Sequence, residues 1–444
     1  MHARKIIAIT AVFSGLMVTG LEARAGSIEY LTNLSADYIR TFSRNAVTDG
    51  VDAAVYNPAG AAWLKDDGIY LSLSTQSLFG EYSIEDNGVK FPADITVPAI
   101  PSLHFAWKSK NLAVVASVTI PAGGGSLVYE DGIPYLVPLA AFAVDDKGKA
   151  KTNTPPTNGE FSGATIFYGG TFGVAYRYKI MSLSLGGRLV MATKKIAGHA
   201  TYDDVTAELD AEKSAMGFGG IIGLHLRPMD GLNIGVRYEL ETPLELETTS
   251  TSSGLGSMDN WKGMALESFA DGAKEKRPLP ATLGAGVAAG PFKGVTLSAS
   301  FHYYFIKDAD AEDDKVGAPG NGLGGYVKSY DDDYSNGWDL GVSAEYQVND
   351  DLQVSLGYIK ADIGGNKNTY SDFEYAPGSN SVGGGGRYQL KKDLFLTLGF
   401  SRTFYDEVGN DEIVAPGLEG LVAPNGETFR KRIYDLALGA QYKF

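Results

Sequence analysis

From residue 68 onward the sequence alternates apolar and polar residues in one short run after another, and nowhere does it hold 18 consecutive apolar residues. Such a chain forms strands with one greasy face and cannot cross a membrane by helices. Met181, Leu183, Leu185, Leu189 and Met191 alternate with Ser182, Ser184, Gly186 and Arg188. Leu232, Ile234, Val236, Tyr238 and Leu240 do the same against Asn233, Gly235, Arg237, Glu239 and Glu241. Strands are expected near 68–84, 98–108, 111–121, 163–178, 181–195, 215–227, 231–246, 278–291, 295–307, 336–348, 351–362, 380–390, 393–406 and 429–444.

Alternation alone does not say which face points inward. A soluble sandwich buries the apolar face, whereas a membrane barrel turns it to lipid and fills the lumen with small polar residues. Connection lengths separate the two. Short polar links such as Lys108–Asn111, Tyr178–Met181, Arg227–Gly231 and Gly290–Gly294 join every second pair of expected strands, and long segments join the rest. Short turns on one side, long loops on the other and an even strand count are the outer-membrane pattern. Tyr176, Tyr178, Tyr346 and Tyr442 fall at strand ends, where interfacial girdles need aromatics, and the alternating last strand ends on Phe444. Composition agrees. Charged residues make up 20% of the 444, below the ~25% of soluble domains, and 56 residues are glycine. Without cysteine there is no disulfide scaffold, Cys-type zinc site or iron–sulfur cluster. A net charge of −15 offers nucleic acid no basic footprint.

Residues 1–25 read as a secretory signal. Arg4 and Lys5 precede the apolar run Ile6–Val18, and Ala23-Arg24-Ala25 supplies a small-x-small cleavage pattern before Gly26. The run is too short for a spanning helix, which needs ~20 residues. Residues 26–67 do not alternate and precede the barrel region 68–444. They carry Ser43-Arg44-Asn45-Ala46 and then Asp52-Ala53-Ala54-Val55-Tyr56-Asn57-Pro58-Ala59-Gly60. Asn57 and Pro58 make a compact turn, because proline fixes φ and asparagine caps.

Here the sequence resembles the FadL family of outer-membrane channels for hydrophobic compounds, such as long-chain fatty acids and toluene. Asn57, Pro58 and Ala59 match that family's Asn-Pro-Ala hatch motif. The resemblance covers the whole chain. It implies an all-β fold: a 14-stranded antiparallel transmembrane β-barrel with an N-terminal hatch, residues 26–67, inside the lumen. It also implies a monomer in the outer membrane of a Gram-negative bacterium, among lipid and lipopolysaccharide. The barrel assembly machinery would insert it, and its terminal aromatic resembles the signal that machinery reads. In the family, outer loops capture the substrate, which passes to the hatch and leaves sideways into the membrane at a kinked third strand.

Candidate site residues follow. Two outer loops are unusually apolar, one through Leu136 and Phe142, the other through Trp261, Met264 and Phe269. Exposed apolar surface of this extent tends to mark a binding site. It would be the capture groove, or the two loops would simply pack on each other. Arg188, Arg237 and His302 project inward and are the candidate contacts for a polar substrate end, unless they pair with Glu239 or Glu345 as structure. Pro121 and Gly123 would kink the third strand or merely end it.

Rival readings are weaker. Ser298, Ser300 and His302 share a face but no elbow motif accompanies them, so no enzyme is expected. In the acidic stretch 308–314, Asp313 stands where an EF-hand needs glycine, and neither a metal nor a cofactor is expected. A hydrophilic diffusion porin is the serious alternative, but it would have no use for a hatch.

Overall fold

The computed structural model describes residues 33–444 except 87, 135, 137–142, 144–155, 259–265, 313, 317–325, 329–332, 368, 371, 373–374 and 410–426. Among the described residues, fourteen strands make the wall. They are β1 (Gly68–Asp86), β2 (Val89–Ser109), β3 (Leu112–Tyr129), β4 (Asn158–Tyr178), β5 (Met181–Tyr202), β6 (Val205–Met229), β7 (Leu232–Glu239), β8 (Thr282–Phe292), β9 (Val295–Tyr304), β10 (Gly337–Gln347), β11 (Leu352–Asp362), β12 (Ser379–Lys391), β13 (Leu394–Tyr405) and β14 (Thr428–Lys443). Each pairs antiparallel with the next. β1 pairs with β14 from Tyr70↔Lys443 to Glu85↔Thr428, which closes the cylinder and removes the sheet edges.

The burial pattern decides the direction that alternation left open. On β5, Leu183 and Leu185 are 51% and 69% exposed, while Ser182 and Ser184 are 1% and 6%. The apolar side therefore points out, forming a belt with Phe172, Phe218, Leu297, Leu356 and Leu438, and small polar residues line the lumen. Tyr176, Tyr178, Tyr346 and Tyr442 are exposed near one rim of that belt. Above Met191 and Met216 the outward positions turn charged, with Lys195 paired to Glu212 at 2.9 Å, so the belt ends there. This is a membrane wall, not a soluble sandwich.

Several strands are longer than their alternation suggested. β1 and β2 join in a hairpin at Asp86↔Val89, and β5 and β6 at Tyr202↔Val205, where long loops were expected. Asp203, at φ 53°, makes the second turn. These tips stand beyond the belt, where β5 and β6 need no lipid-facing pattern. β7 stops at Glu239, before Pro243. Its line is taken up by the strand Glu245–Ser253, which pairs with the tip of β6 and with Lys274–Lys276.

Residues 33–64 lie inside the wall, and 65–67 reach its rim. Two one-turn helices, α1 (Ala36–Ile39) and α2 (Ala53–Tyr56), and a 3₁₀ turn, Pro58–Trp63, account for most of the regular structure. Helices this short are not stable alone in water, so packing holds them. Tyr38 stacks on Tyr56 with ring centroids 5.1 Å apart, and both are buried. The segment fits because the wall presents glycine where its backbone passes. A Cβ on Gly399 of β13 would stand 3.0 Å from Ala36 O. On Gly383 of β12 it would be 2.5 Å from Ile39 O, and on Gly357 of β11 2.6 Å from Thr41 O. On Gly341 of β10 and Gly235 of β7 the clash with Phe42 O and Asn45 O would be closer still. Between them, β9 offers Ser300, whose hydroxyl lies 3.0 Å from that of Ser43. The inner segment thus advances through residues 36–45 as the wall steps back from β13 to β7, lying in a trench floored by glycine.

Candidate functional site

Charge fixes the first half of the inner segment. Arg40 is fully buried. Its Nη1 donates to Glu345 on β10 at 2.5 Å and its Nε to Asp37 at 2.9 Å. Arg44 donates to Asp52 through Nε at 3.0 Å and through Nη2 at 2.8 Å. Its Nη2 also reaches Asp49, which accepts from Arg387 of β12 at 2.7 Å. These ions gain little over an apolar core, but the buried ones, Arg40, Arg44, Asp52 and Glu345, cannot lose a partner cheaply.

The Asn-Pro-Ala motif fixes the second half. Asn57 Oδ1 accepts from Ala59 N at 3.2 Å and so caps the 3₁₀ turn, with Pro58 at its first position. Asn57 Nδ2 donates to Asn45 O at 3.2 Å and to Leu224 O of β6 at 3.0 Å. One side chain therefore joins the turn, the earlier part of the segment and the wall. Ala59 is fully buried, and its carbonyl accepts from Ser182 of β5 at 2.7 Å. Trp63 donates to the same hydroxyl at 2.8 Å, beneath the Arg177 guanidinium at 4.9 Å.

The three inward candidates fall into two groups. Arg188 and Arg237 both close on the carboxylate of Glu239, so two cations share one anion. His302 stands apart: its Nδ1 lies 2.8 Å from Asp339, and its Nε2 3.0 Å from the Asn45 side-chain amide. A hydrolytic triad needs that Nε2 on a hydroxyl. Here Ser300 is engaged by Ser43 instead, so the His–Asp pair orients the inner segment.

Among the described residues the wall has one long gap. The ladder between β2 and β3 ends at Leu103↔Val118, although β2 continues along β1 and β3 along β4. β2 carries Pro98 and Pro101 there, neither with an N–H to give. β3 shifts register against β4 between Thr119 and Ala122 and again between Gly123 and Gly125, so Pro121 and Gly123 sit at the bulges of a strand that runs on to Tyr129. Gly123 has φ +70°, and a Cβ on it would strike Thr165 O, so both conformation and space require glycine. The Pro121 ring and the Arg188 stem both crowd Gly169, which places the cation beside the bulge.

Above residues 33–67 the interior holds a large apolar cluster. Leu136 and Phe269 line one cavity of about 40 Å³ with Phe161, Ile196, Leu209 and Leu266. Phe142, Trp261 and Met264 lie outside the described residues. Sequence reasoning missed Phe161, Ile196 and Leu209, which sit on strand tips read as loop. The cavity belongs to a continuous buried cluster that also holds Ile95, Val97 and Ile100 of β2 and Ile120 of β3, the edges of the gap. Among the described residues no cluster of His, Asp and Glu could hold a metal ion. In the acidic stretch, Asp310 pairs with Lys276 at 3.0 Å.

An internally filled, fourteen-stranded barrel with one break in its wall defines a class of fold, and solved structures share it. A Pseudomonas aeruginosa FadL homologue superposes with a TM-score of 0.66 at 16% identity, covering 95% of this chain and 100% of that one. The P. putida toluene transporter TodX gives 0.62 at 15% (90% and 97%), and the Ralstonia pickettii toluene transporter TbuX 0.60 at 15% (93% and 100%). No family model and no curated protein matches the sequence. The fold is thus the FadL fold.

Proposed function

We propose that this chain is a passive, monomeric channel for hydrophobic small molecules in the outer membrane of a Gram-negative bacterium. Residues 1–25 are its export signal, 26–67 its hatch and 68–444 its barrel. The observation that carries this reading is the unbroken apolar cluster from the outer cavity to the β2–β3 gap. A hydrophobic molecule on that path never meets water. Each methylene kept out of water is worth about 0.8 kcal/mol, so sideways exit through an apolar gap is favoured over exit through the polar lumen. The hatch, anchored by buried ions and by Asn57, stops that lumen and leaves a hydrophilic porin no aqueous route. The cavity is about 40 Å³, well below the roughly 150 Å³ that admits benzene elsewhere, so a ligand enters by parting Leu136 and Phe269 from the strand tips. Arg188, beside the bulge, and Arg237 would meet a polar end as it leaves. The barrel assembly machinery inserts the chain, and lipopolysaccharide surrounds its outer rim. The fold neighbours FadL homologue, TodX and TbuX support transport over catalysis.

The test is uptake of labelled oleate, toluene and a small sugar by cells that lack their own hydrophobic channel and express this one. Saturable uptake of either hydrophobe without sugar flux is expected; sugar flux alone would make the chain a porin.

Two variants probe the parts. Asn57→Ala removes the side-chain bonds to Leu224 O and Asn45 O and uncaps the turn, a loss of about 1–3 kcal/mol, so uptake should fall while the barrel still folds. Unchanged uptake would mean the motif serves only the fold. Ser102→Cys with Thr119→Cys, in a chain without other cysteine, places thiols one step above the last β2–β3 pair. Oxidation should abolish uptake and reduction restore it. Full uptake by the disulfide-linked form would put the exit elsewhere.

A further inference from the structure

Asp435 is an inward residue of β14, 4% exposed. Among the described residues it is the one carboxyl with both oxygens buried and neither in a hydrogen bond. The other lumen carboxylates met above, Glu239, Glu345 and Asp339, each have a partner. A buried polar group left without one costs the fold free energy, so its position calls for a reason. Asn33 lies beside it, but the Asn33 amide donates to Gln76 of β1 at 3.0 Å. Ser401 of β13 is its register partner and is buried as well, yet no hydrogen bond joins the two. Lys431, four residues away on the same face, holds its ammonium over the rings of Tyr82 and Tyr375 at 4.7 and 4.6 Å.

The position lies at a boundary. Two residues before it, Ile433 packs on the apolar cluster; two residues after it, Ala437 belongs to the buried cluster of Tyr38 and Tyr56 in the inner segment. Across the β1 seam Asp435 faces Leu78, which packs on the apolar cluster and in turn faces Val97 at the edge of the β2–β3 gap. The carboxyl therefore stands on the floor of the apolar path, one strand short of the gap. It accepts a hydrogen bond whether ionised or protonated, since a protonated carboxyl keeps acceptor capacity. A hydrocarbon on this path leaves it unpartnered, whereas a molecule carrying one O–H or N–H satisfies it.

We propose that Asp435 is a recognition site for a hydrogen-bond donor, so the channel favours hydrophobic molecules that carry a hydroxyl or amino group over plain hydrocarbons. This rests on the channel reading above. The donor bonds to the Asp435 carboxyl while the apolar body lies against Leu78 and Ile433. The cost of the unpartnered carboxyl is borne by the empty protein and removed by the right ligand. Discrimination of this kind is strong because the wrong ligand leaves a buried polar group unsatisfied.

The test measures binding of radiolabelled para-cresol, para-toluidine and toluene to the full chain in nanodiscs of zwitterionic lipid, with empty discs subtracted. The first two differ from toluene by a single hydroxyl or amino group. A hydrogen bond to a carboxylate contributes enough that Asp435→Leu should lower the cresol-to-toluene and toluidine-to-toluene affinity ratios about tenfold. Asp435→Asn keeps an acceptor oxygen and should lose less. The leucine variant removes a buried group that has no partner, so it folds. Ratios unchanged in Asp435→Leu, or all three ligands weakened together, would overturn the recognition site and leave the channel standing. Binding of none of the three by the unaltered protein would overturn the channel reading itself.

Discussion

Gly341→Leu should unseat residues 33–67 and open the lumen to small solutes. A Cβ at this position would meet the carbonyl oxygen of Phe42, with the carbonyl carbon at 2.9 Å and the Phe42 Cβ at 3.3 Å. Two of these three atoms are backbone, so no rotamer change clears the space. Phe42 has little freedom left: it holds φ 53°, and its ring edge lies 2.7 Å from where a Cβ on Gly383 would stand. Overpacking costs about 1–3 kcal/mol where side chains can shift, and backbone contact places this case at or above that range. The wall, whose ladder on both sides of Gly341 is regular, should still close. Planar-bilayer recordings should show conductance absent from the unaltered protein, and cells should admit small sugars. Gly170→Leu serves as control, because a Cβ there has nothing within 4 Å. A silent Gly341→Leu would mean the lumen is sealed by something other than residues 33–67.

Arg40→Met should weaken the same seal electrostatically. The side chain is wholly buried between Glu345 and Asp37, and removing it leaves two carboxylates in the lumen without their cation. Breaking a buried pair from one side costs about 3–5 kcal/mol, because the abandoned charge has no solvent to return to. Limited proteolysis within residues 33–67, and the urea midpoint of the seal, should report the loss. Adding Glu345→Gln should recover part of it, so the double variant loses less than the sum of the singles. Strict additivity would show that the two groups do not depend on each other.

The barrel was legible in the sequence because lipid-facing strands must repeat their pattern with period two, and that constraint acts on every strand of the belt. Where the wall leaves the lipid, the constraint lapses. In β2, Val89, Phe91, Ala93, Ile95 and Val97 still alternate, and Asn87-Gly88 is a strong hairpin signal, but Pro92 interrupts the run and the strand is expected only from 98 on. Pro98 and Pro101, inside the expected strand, mark the gap. The tips of β5 and β6 were hidden differently, since their outward positions are charged. Asn57 and its turn were legible from the local motif. The glycine trench was not, because it arises from register between segments far apart in the chain.

The glycine trench also sets an order of events. Its floor is built from β7 to β13, so the site that receives residues 36–45 does not exist until strands nearly 400 residues into the chain are in place. Contacts of such sequence separation form late. The segment that precedes the wall in the chain therefore finds its place only after strands that follow it by hundreds of residues, so the inner segment and the wall form one folding unit.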